Sequence, residues 1–156
     1  MKLSLITVGR TDVPWVREGL QLYASRLQHY VRFDIREIPE LKNARALSEE
    51  QIKVKEGALI LKEAEGTDMI LLDEHGTQYR SLDFAKELQN RLNRGGKDIS
   101  FVIGGAYGFS PEVYAGAAGS ISLSKMTFSH QMVRAFFAEQ LYRAFTIIKG
   151  EPYHHE

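Results

Sequence analysis

The sequence contains no cysteine, so disulfides, cysteine-ligated metals and a thiol nucleophile are excluded. This absence also fits a reducing compartment. No apolar run approaches the ~20 residues that a membrane-spanning helix needs, and residues 1–8 are too few and too mixed in character for a signal peptide. We therefore expect a cytoplasmic protein without a membrane segment.

The chain also lacks a net charge, because 20 basic residues balance 20 acidic ones. Neutrality argues mildly against a free-standing nucleic-acid binder, since neutralising phosphates usually leaves a basic excess. Within residues 1–36 basic side chains outnumber acidic ones, which fits either a local basic face or an ordinary solvated surface. The length of 156 residues predicts one compact domain over residues 1–156.

The hydrophobic pattern alternates between strand-like runs and helix-like periods. Strands are predicted at residues 3–8, 33–38, 69–72, 99–103 and 120–124. Helices are predicted from Pro14 to Leu27, over residues 44–65, from Ser81 up to Gly95, briefly from Pro111, and over residues 130–148. Ser48 and Gln51 resemble a capping box inside the second helix. This alternation predicts an α/β fold with a mainly parallel sheet flanked by helices.

Ligands of such sheets bind beyond the carboxyl ends of the strands, which here are residues 72–73, 104–108 and 123–128. The run Gly104-Gly105-Ala106-Tyr107-Gly108 would let a ligand approach the backbone closely. Its spacing matches neither the dinucleotide fingerprint nor the phosphate loop, so a nicotinamide or ATP site is not supported. A tight connection without a ligand fits equally well. The loop at 123–128 could wrap an adenine, or it could be an ordinary loop capped by Ser129.

Two pairs of residues at helical spacing occupy the last predicted helix. His130 and Arg134 share one face, and Glu139 and Arg143 repeat that spacing. Taken alone, the second pair favours a surface ion pair, and His130 favours a capping or packing role.

The tail carries Tyr153, His154 and His155, which are either frayed or able to stack on an exposed base. No acidic or histidine partner at ligand spacing accompanies the histidines, so no metal is expected. A hydrolase is not supported, because the sequence has no Gly-x-Ser-x-Gly elbow and no Ser-His-Asp order.

Six segments, in order and spread over the whole chain, form a joint pattern. They are Lys2-Leu3-x-Leu5-x-x-Val8-Gly9, Leu71-Leu72-Asp73-x-x-Gly76, Phe101-Val102-Ile103-Gly104-Gly105-x-x-Gly108, Leu123-Ser124-x-Met126-Thr127-Phe128-x-His130-x-x-Val133-Arg134, Glu139-Gln140-Leu141-Tyr142-Arg143-Ala144 and Pro152-Tyr153-His154. The pattern resembles the ribosomal RNA large-subunit pseudouridine N3-methyltransferases of the RlmH type, small members of the SPOUT superfamily. Ala106 and His155 depart from it, since members often carry proline and arginine there.

The resemblance implies a methyltransferase that uses S-adenosylmethionine (SAM). It also implies a C-terminal trefoil knot, an exception to the usual absence of threaded chains, and a homodimer. The substrate would be N3 of a pseudouridine in large-subunit (23S) ribosomal RNA, within the assembled ribosome. No metal is implied, because methyl transfer from a sulfonium needs no Lewis acid.

The resemblance also assigns residues to sites. The SAM site would comprise Leu72, Gly104, Leu123, Ser124, Lys125, Met126, Thr127 and Phe128. Arg143, Tyr153 and His154 would grip or polarise the target base, with His154 chosen as proton acceptor. His130 or Arg134 would shape the site. Two alternatives stay open at this point: a non-enzymatic ribosome-binding module, and a transfer-RNA methyltransferase of the same superfamily.

Overall fold

The structure, a computed structural model, describes all 156 residues and confirms the predicted alternation of strands and helices. The elements in chain order are β1 (Lys2–Val8), α1 (Pro14–Leu27), β2 (Arg32–Ile38), α2 (Glu49–Glu63), β3 (Asp68–Gln78), α3 (Ser81–Arg94), β4 (Ile99–Ile103), α4 (Pro111–Gly116), β5 (Gly119–Ser122) and α5 (Met132–Ile148). None of the helices is long and apolar enough to cross a membrane.

The five strands form one parallel sheet in the order β2-β1-β4-β3-β5. The central strand β4 is buried along its whole length, as expected for a strand covered by helices on both faces. Phe101 of β4 pairs with Leu5 of β1 on one side and with Ile70 of β3 on the other. Because all strands run the same way, their carboxyl ends meet at one edge of the sheet.

Alternate residues along the strands serve two separate hydrophobic cores. Leu3 and Leu5 of β1 join the larger core, which α1, α3 and α5 cover. Ile6 and Val8 face the opposite way into the smaller core, beneath α2 and α4. The near-continuous apolar run of β1 thus reflects burial on both faces of the sheet.

The helix predicted over residues 44–65 is divided in two. Ala44–Ala46 forms a short 3-10 turn, and Leu47 then adopts an extended backbone, which ends the helical geometry. Ser48 caps α2: its side chain accepts from the Gln51 amide at 3.1 Å, and the Gln51 side chain accepts from the Ser48 amide at 2.9 Å. The capping box is confirmed, but it marks the start of a helix rather than a point inside one.

Three other boundaries differ from the prediction. The polar segment after Leu72 was predicted to end a strand, yet β3 runs on to Gln78 with a shift in its pairing with β5. The strand β5 ends at Ser122, so Leu123 belongs to the following loop. The helix α5 begins at Met132 rather than at residue 130, and the Ser129 side chain accepts from the amides of residues 131 and 132 in the turn that precedes it.

One side chain expected on the apolar side of α5 points outward. Phe136 is 45% exposed and packs against the ring of Phe128, at 5.6 Å between ring centres. Arg134, by contrast, is completely buried. The helix therefore buries a charged residue and exposes an aromatic one, which hydrophobic spacing alone does not predict.

Candidate functional site

A cavity of about 630 Å³ opens at the carboxyl edge of the sheet. The three segments selected from the sequence all contribute to it: β3 at Leu72, where its pairing with β4 ends, the glycine run after β4, and the loop after β5. Its size lies within the range of about 300–1,000 Å³ that is typical of small-molecule sites. Of the residues assigned to the SAM site, Lys125 does not line the cavity, whereas these do: Leu72, Gly104, Leu123, Ser124, Met126, Thr127 and Phe128.

Hydrogen bonds give the loop after β5 a defined shape. Ser122 Oγ donates to the Ser124 carbonyl at 2.8 Å, and Ser124 Oγ accepts from the Met126 amide at 3.0 Å. Thr127 Oγ1 donates to Glu74 Oε2 at 2.6 Å, which connects this loop to β3. The cavity wall is therefore largely preformed.

The segment between Leu72 and Thr77 bulges out of the β3–β5 ladder, because both residues pair with Ile121. The bulge directs Asp73 and its two successors toward the cavity. Tyr114 Oη donates to Asp73 Oδ2 at 2.6 Å. Burial and this hydrogen bond raise the pKa of Tyr114 to about 12. Tyr114 thus stays a neutral donor at working pH, and the bulge presents negative charge to the cavity.

Glu56 of α2 lies behind the glycine run. A Cβ placed on Gly105 would come within 2.7 Å of Glu56 Oε1, so only glycine allows this approach. Glu56 Oε1 is enclosed and has no hydrogen-bond partner. Burial, assisted by the nearby Glu40 charge, raises the pKa of Glu56 above its usual value. The carboxylate is therefore destabilising in its charged form.

We expect Glu56→Gln to stabilise the protein at neutral pH. A carboxyl group whose pKa is higher in the folded state than in the unfolded state costs stability once it ionises. The Tm difference between Glu56→Gln and the native chain should be positive at pH 7 and should shrink as pH falls toward 4, where the native carboxyl is protonated in both states. Thermal unfolding followed by circular dichroism at both pH values measures it. Glu65→Gln, at an exposed position beyond α2, is the control. Equal Tm values for native and Glu56→Gln protein at pH 7 would contradict the inference that the ionised Glu56 carboxylate destabilises the folded protein.

The residues assigned to catalysis form a second cluster near the carboxyl end of α5. We call it the tail cluster, and it comprises Glu139, Arg143, Tyr153 and His154. Glu139 Oε1 accepts from Arg143 Nη2 at 2.5 Å and from Tyr153 Oη at 3.0 Å. The Arg143 guanidinium also lies over the Tyr153 ring, 4.8 Å from its centre. Burial and the hydrogen bonds with Tyr23 and Glu139 raise the pKa of Tyr153. The Glu139–Arg143 pair is thus part of a half-buried network that holds the tail in place, rather than an isolated surface pair.

His154 joins the same cluster through its Nδ1 atom. Arg143 Nη1 lies 3.1 Å from it, and because arginine can only donate, Nδ1 is the acceptor. The proton of the neutral imidazole ring therefore resides on Nε2, which is enclosed, makes no hydrogen bond and lies 3.5 Å from Glu156 Oε1. In this arrangement His154 can accept a proton at Nδ1 only if Arg143 releases it.

The cavity and the tail cluster are separate within one chain. Val133 lines the cavity, whereas Arg143, Tyr153 and His154 do not. The ten residue steps from Val133 to Arg143 correspond to about 15 Å along the helix axis, at ~1.5 Å per residue. The cavity and the tail cluster of one chain therefore lie at different levels of α5.

A family model described as a predicted SPOUT methyltransferase matches residues 1–154. The chain belongs to the SPOUT methyltransferase family. Among its curated SPOUT relatives are proteins named ribosomal RNA large subunit methyltransferase H. The relative from Christiangramia forsetii is 54% identical over 156 residues and 99% of both chains. Those from Flavobacterium johnsoniae and Parabacteroides distasonis are 52% and 50% identical over the full length of both chains. The resemblance inferred from the six sequence segments is confirmed.

Solved structures show the same SPOUT fold at low sequence identity. A putative methylase family protein from Neisseria gonorrhoeae gives a TM-score of 0.53 at 14% identity, covering 99% of this chain and 85% of that one. A probable methylase family protein from Haemophilus influenzae gives 0.51 at 12% identity, covering 99% and 70%. The architecture is thus retained although most residues differ.

Two site features are absent from the sequence-based assignment. Lys53 of α2 lines the cavity, and Glu56 of the same helix lies behind the glycine run. No local signal marks either residue, because α2 reaches the site only through the crossover of the chain. Of the two residues expected to shape the site, His130 lines the cavity, whereas Arg134 is completely buried and does not line it.

Proposed function

We propose that this protein transfers a methyl group from SAM to N3 of a pseudouridine in large-subunit ribosomal RNA, acting in the cytoplasm on the assembled ribosome. Residues 1–156 form the one domain that does so. The observation that carries this proposal is the preformed cavity where β3 at Leu72 meets the carboxyl ends of β4 and β5. The names of the relatives, which are about half identical over the full chain, support the RNA class.

The cavity suits the chemistry of SAM. Leu72, Leu123 and Val133 offer apolar surface for the adenosine portion. The acidic Asp73 and the neighbouring Glu74 favour a ligand that carries sulfonium and ammonium charges. Glycines at 104 and 105 leave the backbone open to close approach.

SAM, when bound, supplies an electrophilic methyl group on a sulfonium. The protein's residues must then orient the RNA base and stabilise the negative charge that N3 carries once it loses its proton. Arg143 provides a permanent cation for that charge, Tyr153 an aromatic ring for stacking, and His154 a polar ring edge. The proton-accepting role of His154 remains a prediction that requires Arg143 to move away from Nδ1.

A homodimer would bring these two sets of residues together. Because the cavity and the tail cluster of one chain are ~15 Å apart along α5, the tail of one protomer would complete the cavity of its partner. The exposed Phe136, Met132 and Trp15 offer apolar surface for such an interface.

We also propose the C-terminal trefoil knot. It is supported by the return of the chain from the outer strand β5 to the end of β1, where Gln131 donates to the Arg10 carbonyl.

Calorimetric titration with SAM tests the cofactor. We expect saturable binding by the native chain and a loss of about tenfold or more in affinity for Leu123→Arg, because a cation would enter a cavity meant for a sulfonium. The matched control is Leu82→Arg, the same change at an exposed position on α3 outside the cavity. A folded native chain that binds no SAM would contradict the proposal and favour a non-enzymatic ribosome-binding module.

Transfer of a radioactive methyl group tests the substrate. Assembled ribosomes, isolated large subunits and transfer RNA are offered separately, and the labelled nucleotide is identified by mass spectrometry. The proposal expects label in a pseudouridine of the large-subunit RNA, with assembled ribosomes the best substrate. Preferential labelling of transfer RNA would support the alternative enzyme of the same family instead.

A further inference from the structure

A guanidinium with no exposed surface lies beneath the first turn of α5. It belongs to Arg134, and its Nη atoms reach the carboxyl end of β1. Nη2 donates to the Val8 carbonyl at 2.8 Å, and Nη1 donates to the Gly9 carbonyl at 3.0 Å and to Thr11 Oγ1 at 2.8 Å. These partners belong to a strand end that contributes no residue to the cavity.

The Nε donor of the same side chain bonds to the cavity wall. Arg134 Nε donates to the His130 carbonyl at 3.0 Å, and both His130 and Ser129 line the cavity. The preceding residues, 123–128, form the loop assigned to SAM. A single side chain thus connects the end of β1 with the last residues of the cavity-lining segment.

Neighbouring groups keep the Arg134 guanidinium charged and in a fixed position. Burial lowers the pKa of Arg134, while Glu37, whose Oε2 lies 3.7 Å from Nη1, acts in the opposite direction. Glu37 Oε2 also accepts from the Thr11 amide at 2.5 Å. A buried charge is tolerated only where its donors are satisfied, so the carbonyls of β1 and of His130 are held at set positions.

We infer that Arg134 is a positioning residue for the methyl-donor site: it sets the wall at Ser129 and His130 by anchoring it to the end of β1. This inference rests on the proposed function. Arg134 does not line the cavity, so its influence passes through the His130 carbonyl and the first turn of α5. A second tie reinforces the first, since Gln131 Nε2 donates to the Arg10 carbonyl at 2.8 Å and Gln131 Oε1 accepts from the Asp12 amide at 3.0 Å.

The test removes one hydrogen bond of Arg134 without removing its charge. Thr11→Val deletes one acceptor at nearly constant volume, and Thr11→Ser restores the hydroxyl. We expect Thr11→Val to raise the Kd and the KM for SAM about fivefold, with kcat nearly unchanged, and Thr11→Ser to recover most of the native values. Arg134→Lys, which keeps the charge but loses the fork, should weaken SAM binding more than Thr11→Val does.

A control separates positioning from general stability. Leu141→Ala removes buried volume from the same helix, two turns beyond Arg134 and outside the cavity. It should lower Tm at least as much as Thr11→Val while leaving the Kd for SAM unchanged. If the two variants raised the Kd equally, or if Thr11→Val left it unchanged, the inference would be overturned.

Hydrogen exchange gives a readout that needs no cofactor. The amides of Val133 and Arg134 bond to the carbonyls of Ser129 and Gln131, at 3.1 and 3.2 Å. In the free protein they should exchange faster in Thr11→Val than in the native chain or in Leu141→Ala. Unchanged exchange would overturn the inference by itself. If the native protein binds no SAM but Thr11→Val still exchanges these amides faster than the native chain, the proposed function is rejected. The anchoring of the first turn of α5 to the end of β1 by Arg134 is then retained.

Discussion

Arg143→Met is expected to lower kcat for methyl transfer to ribosomes about 100-fold, the usual effect of removing one donor to a developing anion. The side chain makes all of its polar contacts within the tail cluster, to Glu139 and His154, and stacks on Tyr153. Its loss would remove the permanent cation proposed for N3 and would release the tail. The KM for SAM should change little, because the role proposed for Arg143 is to stabilise the charge on N3 of the RNA base rather than to hold SAM.

Two companion variants make this result specific. Arg143→Lys keeps the charge without the planar fork, so it should retain part of the rate. Glu139→Gln keeps a hydrogen-bond acceptor for Tyr153 and Arg143, so it should affect kcat far less than Arg143→Met. Steady-state kinetics on ribosomes, with SAM and ribosome concentrations varied separately, measures both constants. A native kcat in Arg143→Met would show that this residue is not part of the reaction.

Mixing two inactive variants tests the shared site. If each cavity works with the partner's tail, Leu123→Arg and Arg143→Met protomers should together restore activity in heterodimers, which contain one cavity and one tail cluster that are both native. Restoration should approach one quarter of native activity after random exchange of subunits, because half of the dimers are then mixed and each holds one native site. No restoration despite subunit exchange would place cavity and tail function in the same chain.

Gly76→Ala is expected to destabilise the protein by ~3 kcal/mol or more, lowering Tm by ~6 to 12 °C in a chain of this size. A Cβ at Gly76 would lie 2.7 to 2.8 Å from backbone atoms of Ser120 and Ile121. The backbone of β5 cannot yield as a flexible side chain can. The φ angle of Gly76 is not in the left-handed region, so crowding alone causes the effect.

Gly19→Ala is the matched control for this substitution. Its Cβ would meet only the Ala135 Cβ, at an ordinary contact distance of 3.7 Å, and alanine is favoured over glycine inside a helix by ~0.5–1 kcal/mol. Gly19→Ala should therefore raise Tm slightly, in the opposite direction to Gly76→Ala. Thermal unfolding by circular dichroism measures both. A Tm for Gly76→Ala within 1 or 2 °C of native, the scatter expected from a change of about 0.5 kcal/mol, would contradict the close packing of β3 on β5.

Local patterns in the sequence determined the order of strands and helices, the capping box at Ser48 and the three strand ends that form the cavity. These features depend on residues close together in the chain, such as the apolar run of β4 and the glycines that follow it. The carboxyl ends of parallel strands meet at one edge whatever the strand order. For that reason the sequence predicted that residues 72, 104 and 123 lie at one edge of the sheet, whereas their convergence on one cavity requires β4, β3 and β5 to be neighbours.

The tertiary structure alone decided the rest. The strand order β2-β1-β4-β3-β5 brings the end of β1 beneath α5, which turns Arg134 from an expected site residue into a buried anchor. Val133 and Arg143 lie ten residue steps apart on α5, and only Val133 lines the cavity, so the SAM-site residues and the tail cluster are separate in one chain. Long-range contacts of this kind depend on the sheet order and on how the helices pack, and neither is encoded in the spacing of nearby residues.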